Sequence, residues 1–197
     1  MAINNNGFSV NSNAIELLSG FKLKVKDKKE GLAHVSDSIV KFLKIHFKKK
    51  DSAEPNKLGG KRTHFWKQIG RSVKQVQRYN TYNVAITDYR FNQKLYGGTI
   101  TAKNAKYLTI PMKAASYGQT AGQFSKNTGV NLRFRRRRSG GGVLAGGRGR
   151  GTYYYSLVKS VTQQPWPNTL PTNERLSLRA QRSFRYWLKK HFGNAVN

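Results

Sequence analysis

The sequence has no cysteine among its 197 residues. That excludes a disulfide framework, a thiolate nucleophile and any zinc site built on Cys ligands. Acid is nearly as scarce: 8 Asp+Glu stand against 37 Lys+Arg. The acids are scattered, and none has the close acidic partner and apolar setting that would split a pair of carboxyl pKa values. The four histidines, His34, His46, His64 and His191, fall in no HExxH or paired-ligand spacing. Ser156 and the other serines lack the G-x-S-x-G setting of a nucleophile. No enzyme, metal or cofactor is therefore expected. No run of about 18 apolar residues exists to span a membrane. The start, MAINNNGFSVNSN, has no basic segment leading into an apolar one, so no signal peptide is expected, and synthesis in a cytoplasm is.

What is present is positive charge on a foldable chain. The formal net charge is +29. Hydrophobic residues make up 37% and aromatics 12%, too rich a composition for disorder. A single copy so charged repels itself, which calls for a polyanion or an acidic partner nearby. The charge is uneven. Residues 1–88 hold 17 basic and 7 acidic side chains; residues 89–197 hold 20 and 1, the one acid being Glu174.

Patterning along the chain gives the elements. Residues 1–20, rich in Asn and Ser, read as a flexible arm. Residues 21–26 alternate apolar and basic, which predicts a strand with a lysine-guarded edge. Ser36 is the expected N-cap of a helix on which Ile39, Leu43 and Phe47 recur, with Lys48, Lys49 and Lys50 in its last turn. A second helix is expected over residues 63–75 from Phe65, Ile69 and Val73, with Gly70 marking a close helix contact. A hairpin around Asn80 and Thr81 follows, then a helical turn over residues 89–96. Residues 98–111 read as a second hairpin with its tip at 103–106. Residues 113–128 suit a loop or weak helix. Residues 139–151 hold seven glycines in thirteen and read as a flexible loop. A β-prone stretch from Thr152 and a Pro-punctuated segment lead to a last helix, capped by Thr172. Its apolar face is Leu176, Ala180, Phe184, Trp187 and Leu188. The expected fold class is α+β: a mostly antiparallel sheet with two N-terminal helices and one C-terminal helix packed against it. The arm aside, residues 21–197 are expected to form a single domain with a mobile Arg/Gly loop at about 133–151.

The sharpest constellation is Arg133, Arg135, Arg136, Arg137, Arg138, Arg148 and Arg150 around that glycine stretch. Arginine pairs bidentately with phosphate, so these residues suit contact with nucleic acid by charge alone. A basic hairpin pairing with an acidic neighbouring subunit suits them equally. The aromatics Tyr153, Tyr155, Trp166, Phe184 and Trp187 are candidates for a subunit interface. For Tyr153–Tyr155, packing in a core or interface is preferred to base stacking. The basic, amphipathic C-terminal helix is read as docking on the sheet or an adjacent subunit rather than on a membrane surface.

Several segments resemble one family in order. They are residues 46–66 (HFKKKDSAEPNKLGGKRTHFW), Gly97-Gly98-Thr99-Ile100 through Lys103 to Tyr107-Leu108-Thr109-Ile110-Pro111, Ala115-Ser116-Tyr117-Gly118, and residues 157–171 (LVKSVTQQPWPNTLP). Together, across roughly residues 25–192, the chain resembles the virion-morphogenesis or tail-completion proteins of tailed bacteriophages. The resemblance implies a structural neck protein, a tail-completion or tail-terminator ring subunit that caps the head-proximal end of the tail and joins it to the filled head. It implies as partners the chain itself, in a ring of six, other neck and tail proteins and the phage DNA end. It also implies a place in the virion after assembly in the host cytoplasm, with no membrane contact. The arginine and glycine run and the Asn-rich arm depart from the family pattern. The other class open to this composition is a basic nucleic-acid-binding protein of ribosomal or nucleoid type.

Overall fold

A computed structural model describes residues 25–55, 58–60, 62–79, 81–138, 141–147 and 151–193. The expected arm at 1–20 lies outside them. The fold is α+β, with α-helices and antiparallel sheets mixed along the chain. The chain divides into two compact units.

The first unit takes in residues up to 53, residues 64–91 and residues from 167 on. Its frame is a 29-residue helix, α1 (Val25–Ala53). The strand expected at 21–26 is not formed by Val25 and Lys26, which open this helix; residues 21–24 lie outside the described set. The helix formers Lys28, Lys29, Glu30, Leu32 and Ala33 extend the helix backward, and Asp27 sits in the first turn, where the helix dipole favours an anion. Ser36 is therefore mid-helix, and its hydroxyl donates back to the Ala33 carbonyl at 3.1 Å.

The second helix, α2 (Phe65–Arg71), is shorter than its periodicity suggests. Val73 keeps the apolar spacing and is buried, but as the first residue of β1 (Val73–Arg78). The β-branched residue continues the same buried line into a strand, and Ser72 closes the helix by donating its hydroxyl to Ile69 O at 2.8 Å. Gly70 does mark the close contact: a Cβ there would lie 3.3 Å from the Phe47 Cβ of α1. β1 pairs with β2 (Thr81–Ile86) in the hairpin expected there, with Arg78 opposite Thr81. The Gln75 amide ties the hairpin to α1 through Ser36 Oγ and Ala33 O. A short helix, α3 (Arg90–Tyr96), follows and brings Phe91 edge-on to Phe47.

The last helix, α5 (Asn173–Phe192), is capped as expected, Thr172 Oγ1 accepting from Arg175 N. It packs along α1. Leu176, Ala180, Phe184, Trp187 and Leu188 are all buried, as are Ile39, Leu43 and Phe47 of α1. The helices approach closely at Gly31, where a Cβ would lie 3.0 Å from the Trp187 ring.

The second unit comprises residues 54–63 and 92–166. Rather than joining one sheet, its strands form two, a pair and a set of four. β3 (Gly98–Thr101) and β4 (Leu108–Pro111) do not pair with each other as a hairpin. β3 pairs with β8 (Ser160–Gln163), and β4 pairs with β7 (Thr152–Val158). Both arms of the expected hairpin thus run along one β-prone partner stretch, and the polar residues at 102–107 loop out between them.

The four-stranded sheet runs β4-β7-β6-β5, with β5 (Arg133–Arg136) at its edge and β6 (Gly142–Gly146) inside. Within the expected mobile loop, residues 142–146 instead form this inner strand; residues 139–140 and 148–150 lie outside the described set. Val143 and Ala145 are buried there. Gly142 and Gly146 are spaces rather than hinges: the Phe134 ring lies over one and the Val130 side chain over the other, each where a Cβ would stand. A bulge between Leu144 and Ala145 leaves Tyr154 without a β6 partner. The Tyr154 ring packs on Phe124 of α4 (Ala121–Thr128), 4.7 Å between centroids. Thr120 and Gln123 close a reciprocal capping box at the start of α4, so the expected weak helix has a defined beginning.

Candidate polyanion interfaces

In the first unit three acids, Asp37, Asp51 and Asp88, are engaged with nearby cations or helix ends. Asp37 pairs with Lys41 at 2.7 Å, four residues on along α1. Asp51 accepts from Lys67 N at 3.2 Å and lies 2.8 Å from His64 Nδ1, so a carboxylate from the end of α1 caps the start of α2. Asp88 accepts from the Arg90 backbone and guanidinium; those hydrogen bonds hold its carboxyl below the usual range and push the Arg90 pKa up. Asp88 is thus a salt-bridge partner and a local backbone acceptor. His46 donates to Thr169 O at 3.3 Å, and burial pulls its pKa down; burial does the same to His34. Among the described residues, no three His, Asp or Glu gather as a metal site would require.

The expected arginine run sits on the edge strand of the second unit. Arg133 and Arg135 lie on one side of β5, and Phe134 and Arg136 on the other. All but the half-buried Arg135 are exposed. Arg137 follows the strand and reaches Ser156 Oγ at 3.5 Å and Met112 Sδ at 3.8 Å. Arg138 is exposed beside it. Arg148 and Arg150 lie outside the described residues. Five arginines over six positions thus guard an open sheet edge, where β5 presents backbone hydrogen-bonding groups that no described strand takes up.

The candidate interface aromatics separate. Tyr155 is fully buried in the second unit, and its hydroxyl is 3.2–3.3 Å from the carbonyls of Ser116, Gln119 and Thr120. Phe184 and Trp187 are buried against α1. These three build the protein's own core, so they are withdrawn as interface residues. Tyr153 remains 44% exposed and Trp166 36%. The Trp166 indole donates to Glu54 Oε1 at 3.3 Å, with the Lys94 ammonium 4.3 Å above its ring.

A second basic surface lies on the C-terminal helix, read from the sequence as basic and amphipathic but without its arginines singled out. On α5, opposite the buried face, Arg175, Arg179, Arg182, Arg185, Lys189 and Lys190 are all exposed. Their spacing of three and four residues was the available signal, being the complement of the apolar spacing that located the helix. The apolar face that located the helix is closed on α1, while Leu178, Tyr186 and Phe192 stay exposed on α5.

Comparison with protein-family models, with curated proteins and with solved structures finds no match to this chain.

Proposed function

We propose that the chain is a structural virion protein of a phage neck: a tail-completion or tail-terminator subunit that assembles with its own copies into a ring, joins head to tail and meets DNA or an acidic neighbour through charge. The observation that carries this reading is the pairing of the segments that resemble the family. The block at 97–100 runs into β3 and the later block at 157–171 contains β8, its partner; the block ending at Pro111 is β4, and its partner β7 leads into that same later block. Segments far apart in sequence thus pair with one another in the two sheets of the second unit, as segments of a shared scaffold would. The open, charged β5 edge supports a contact made in an assembly rather than by a free monomer. Particles assembled without this chain should contain filled heads with separate or overlong tails. Normal joined virions lacking it would overturn the reading.

A second reading, a basic nucleic-acid-binding protein of ribosomal or nucleoid type, is favoured by the exposed arginines of β5 and its continuation. Mass measurement separates the two: self-association into a ring favours the first, and a monomer that binds DNA with steep salt dependence favours the second.

A further inference from the structure

We infer that the outer face of α5 is a binding surface for the phosphate backbone of double-stranded nucleic acid. The argument rests on that helix alone and needs neither a ring nor the β5 arginines. Arg175, Arg179, Arg182, Arg185 and Lys189 recur every three or four residues, which places them along one side of the helix. From 175 to 189 they form a row about 21 Å long. Lys190 widens its end.

None of these six side chains enters an ion pair among the described residues. Glu174, in the first turn, is the one acid on the helix. Such a row repels itself until a dense, linear anion lies along it. A duplex carries one charge for about every 1.7 Å of its axis, so roughly a dozen phosphates pass a row of this length.

The row is also held in place. Leu176, Ala180, Phe184, Trp187 and Leu188 fix the opposite side of α5 on α1. The stacked Phe184 and Trp187 rings, 5.8 Å apart, anchor the turn that carries Arg185. Association therefore orders side chains but not a helix, which keeps its entropic cost low. Four of the six cations are arginine, whose planar fork pairs with two phosphate oxygens at once. Nothing here reads bases: contact is by charge and shape.

The test uses the full chain, a labelled duplex of mixed sequence and a series of salt concentrations. Replacing three cations, in Arg179→Gln/Arg182→Gln/Arg185→Gln, should weaken binding at low salt by about tenfold or more. It should also reduce the slope of log K against log salt by about 2–3, at roughly 0.9 per phosphate contact. The matching Arg→Lys triple should keep most of the slope, which separates lost charge from lost fold. An unchanged slope in the Gln triple would overturn the inference. So would a slope reduced only by Arg133→Gln/Arg135→Gln/Arg136→Gln, or capture of the protein by phosphatidylserine vesicles without duplex binding. Ring mass, measured on the same samples, reports on the neck reading separately.

Discussion

At the scale of single residues, Tyr155 shows how a polar group becomes structural. Its ring is fully buried beside Phe124, 6.0 Å between centroids, and its hydroxyl faces three backbone carbonyls on the approach to α4. One O–H donates to one carbonyl at a time, so the three share it. Burial alone pushes its pKa up, which keeps the donor protonated. Removing the hydroxyl leaves those carbonyls short of a buried partner. Tyr155→Phe should cost about 1–3 kcal/mol in urea unfolding. Tyr153→Phe, on the exposed neighbour, should change stability by no more than about 0.5 kcal/mol. Equal costs for the two would contradict this account. The run of three tyrosines does not itself reveal the difference; the bulge opposite Leu144 and Ala145 sets which ring enters the core.

At the scale of elements, the α1–α5 contact is limited by one atom. A Cβ at Gly31 would stand 3.0 Å from the Trp187 ring and 3.1 Å from Phe184. Glycine inside a helix ordinarily weakens it, and here that loss is offset by closer packing. Gly31→Val should lower stability by about 1–3 kcal/mol through overpacking. It should also alter Trp fluorescence, because Trp187 bears on the site. A stabilised variant would mean that the helices can move apart freely. The same element scale shows what the sequence makes legible. Ile39, Leu43 and Phe47, and Leu176 through Leu188, are local repeats, and both helices follow from them. The Thr172 cap is equally local. The partner of 98–111 is not: it lies some fifty residues on, and both halves of the apparent hairpin satisfy their backbones against 155–163. The glycines at 142 and 146 look like flexibility until Phe134 and Val130 are seen to fill the space above them. For the candidate surfaces, the arginine run is legible as charge, but its place on a sheet edge depends on pairing at a distance. The α5 row is legible in its spacing, and what covers the helix's other face depends on packing at a distance.

At the scale of the molecule, charge and protonation act through the first unit. His34 and His46 both have pKa values lowered mainly by burial. Asp37 opposes the shift at His34, while Lys41, Lys190 and His191 add to it; at His46 the Thr169 and Asn168 carbonyls oppose it, and Lys50 and Arg175 add to it. Each ring is therefore less readily protonated in the folded protein than in the unfolded chain. Their contribution is complete above the ordinary histidine value near 6.5 and is lost as pH falls through the lowered folded values. The melting temperature of the full chain should drop between pH 7.5 and 5, and the double variant His34→Gln/His46→Gln should flatten that dependence. A wild-type melting temperature that rises on acidification would refute the assignment. Asp88, held below its usual range by Arg90, loses its contribution only at much lower pH, so the two effects separate on the pH axis.

The first unit is closed by helices that about 120 residues of chain keep apart, from Ala53 to Asn173. All of the second unit is encoded between them. During translation the ribosome therefore delivers every strand of the second unit before the helix that completes the first. Throughout that interval the α1 surface around Gly31 waits uncovered, with Phe184 and Trp187 not yet made. Order of synthesis sets a vulnerable period in which a nascent chain of this kind depends on chaperone cover or on dilution to escape aggregation.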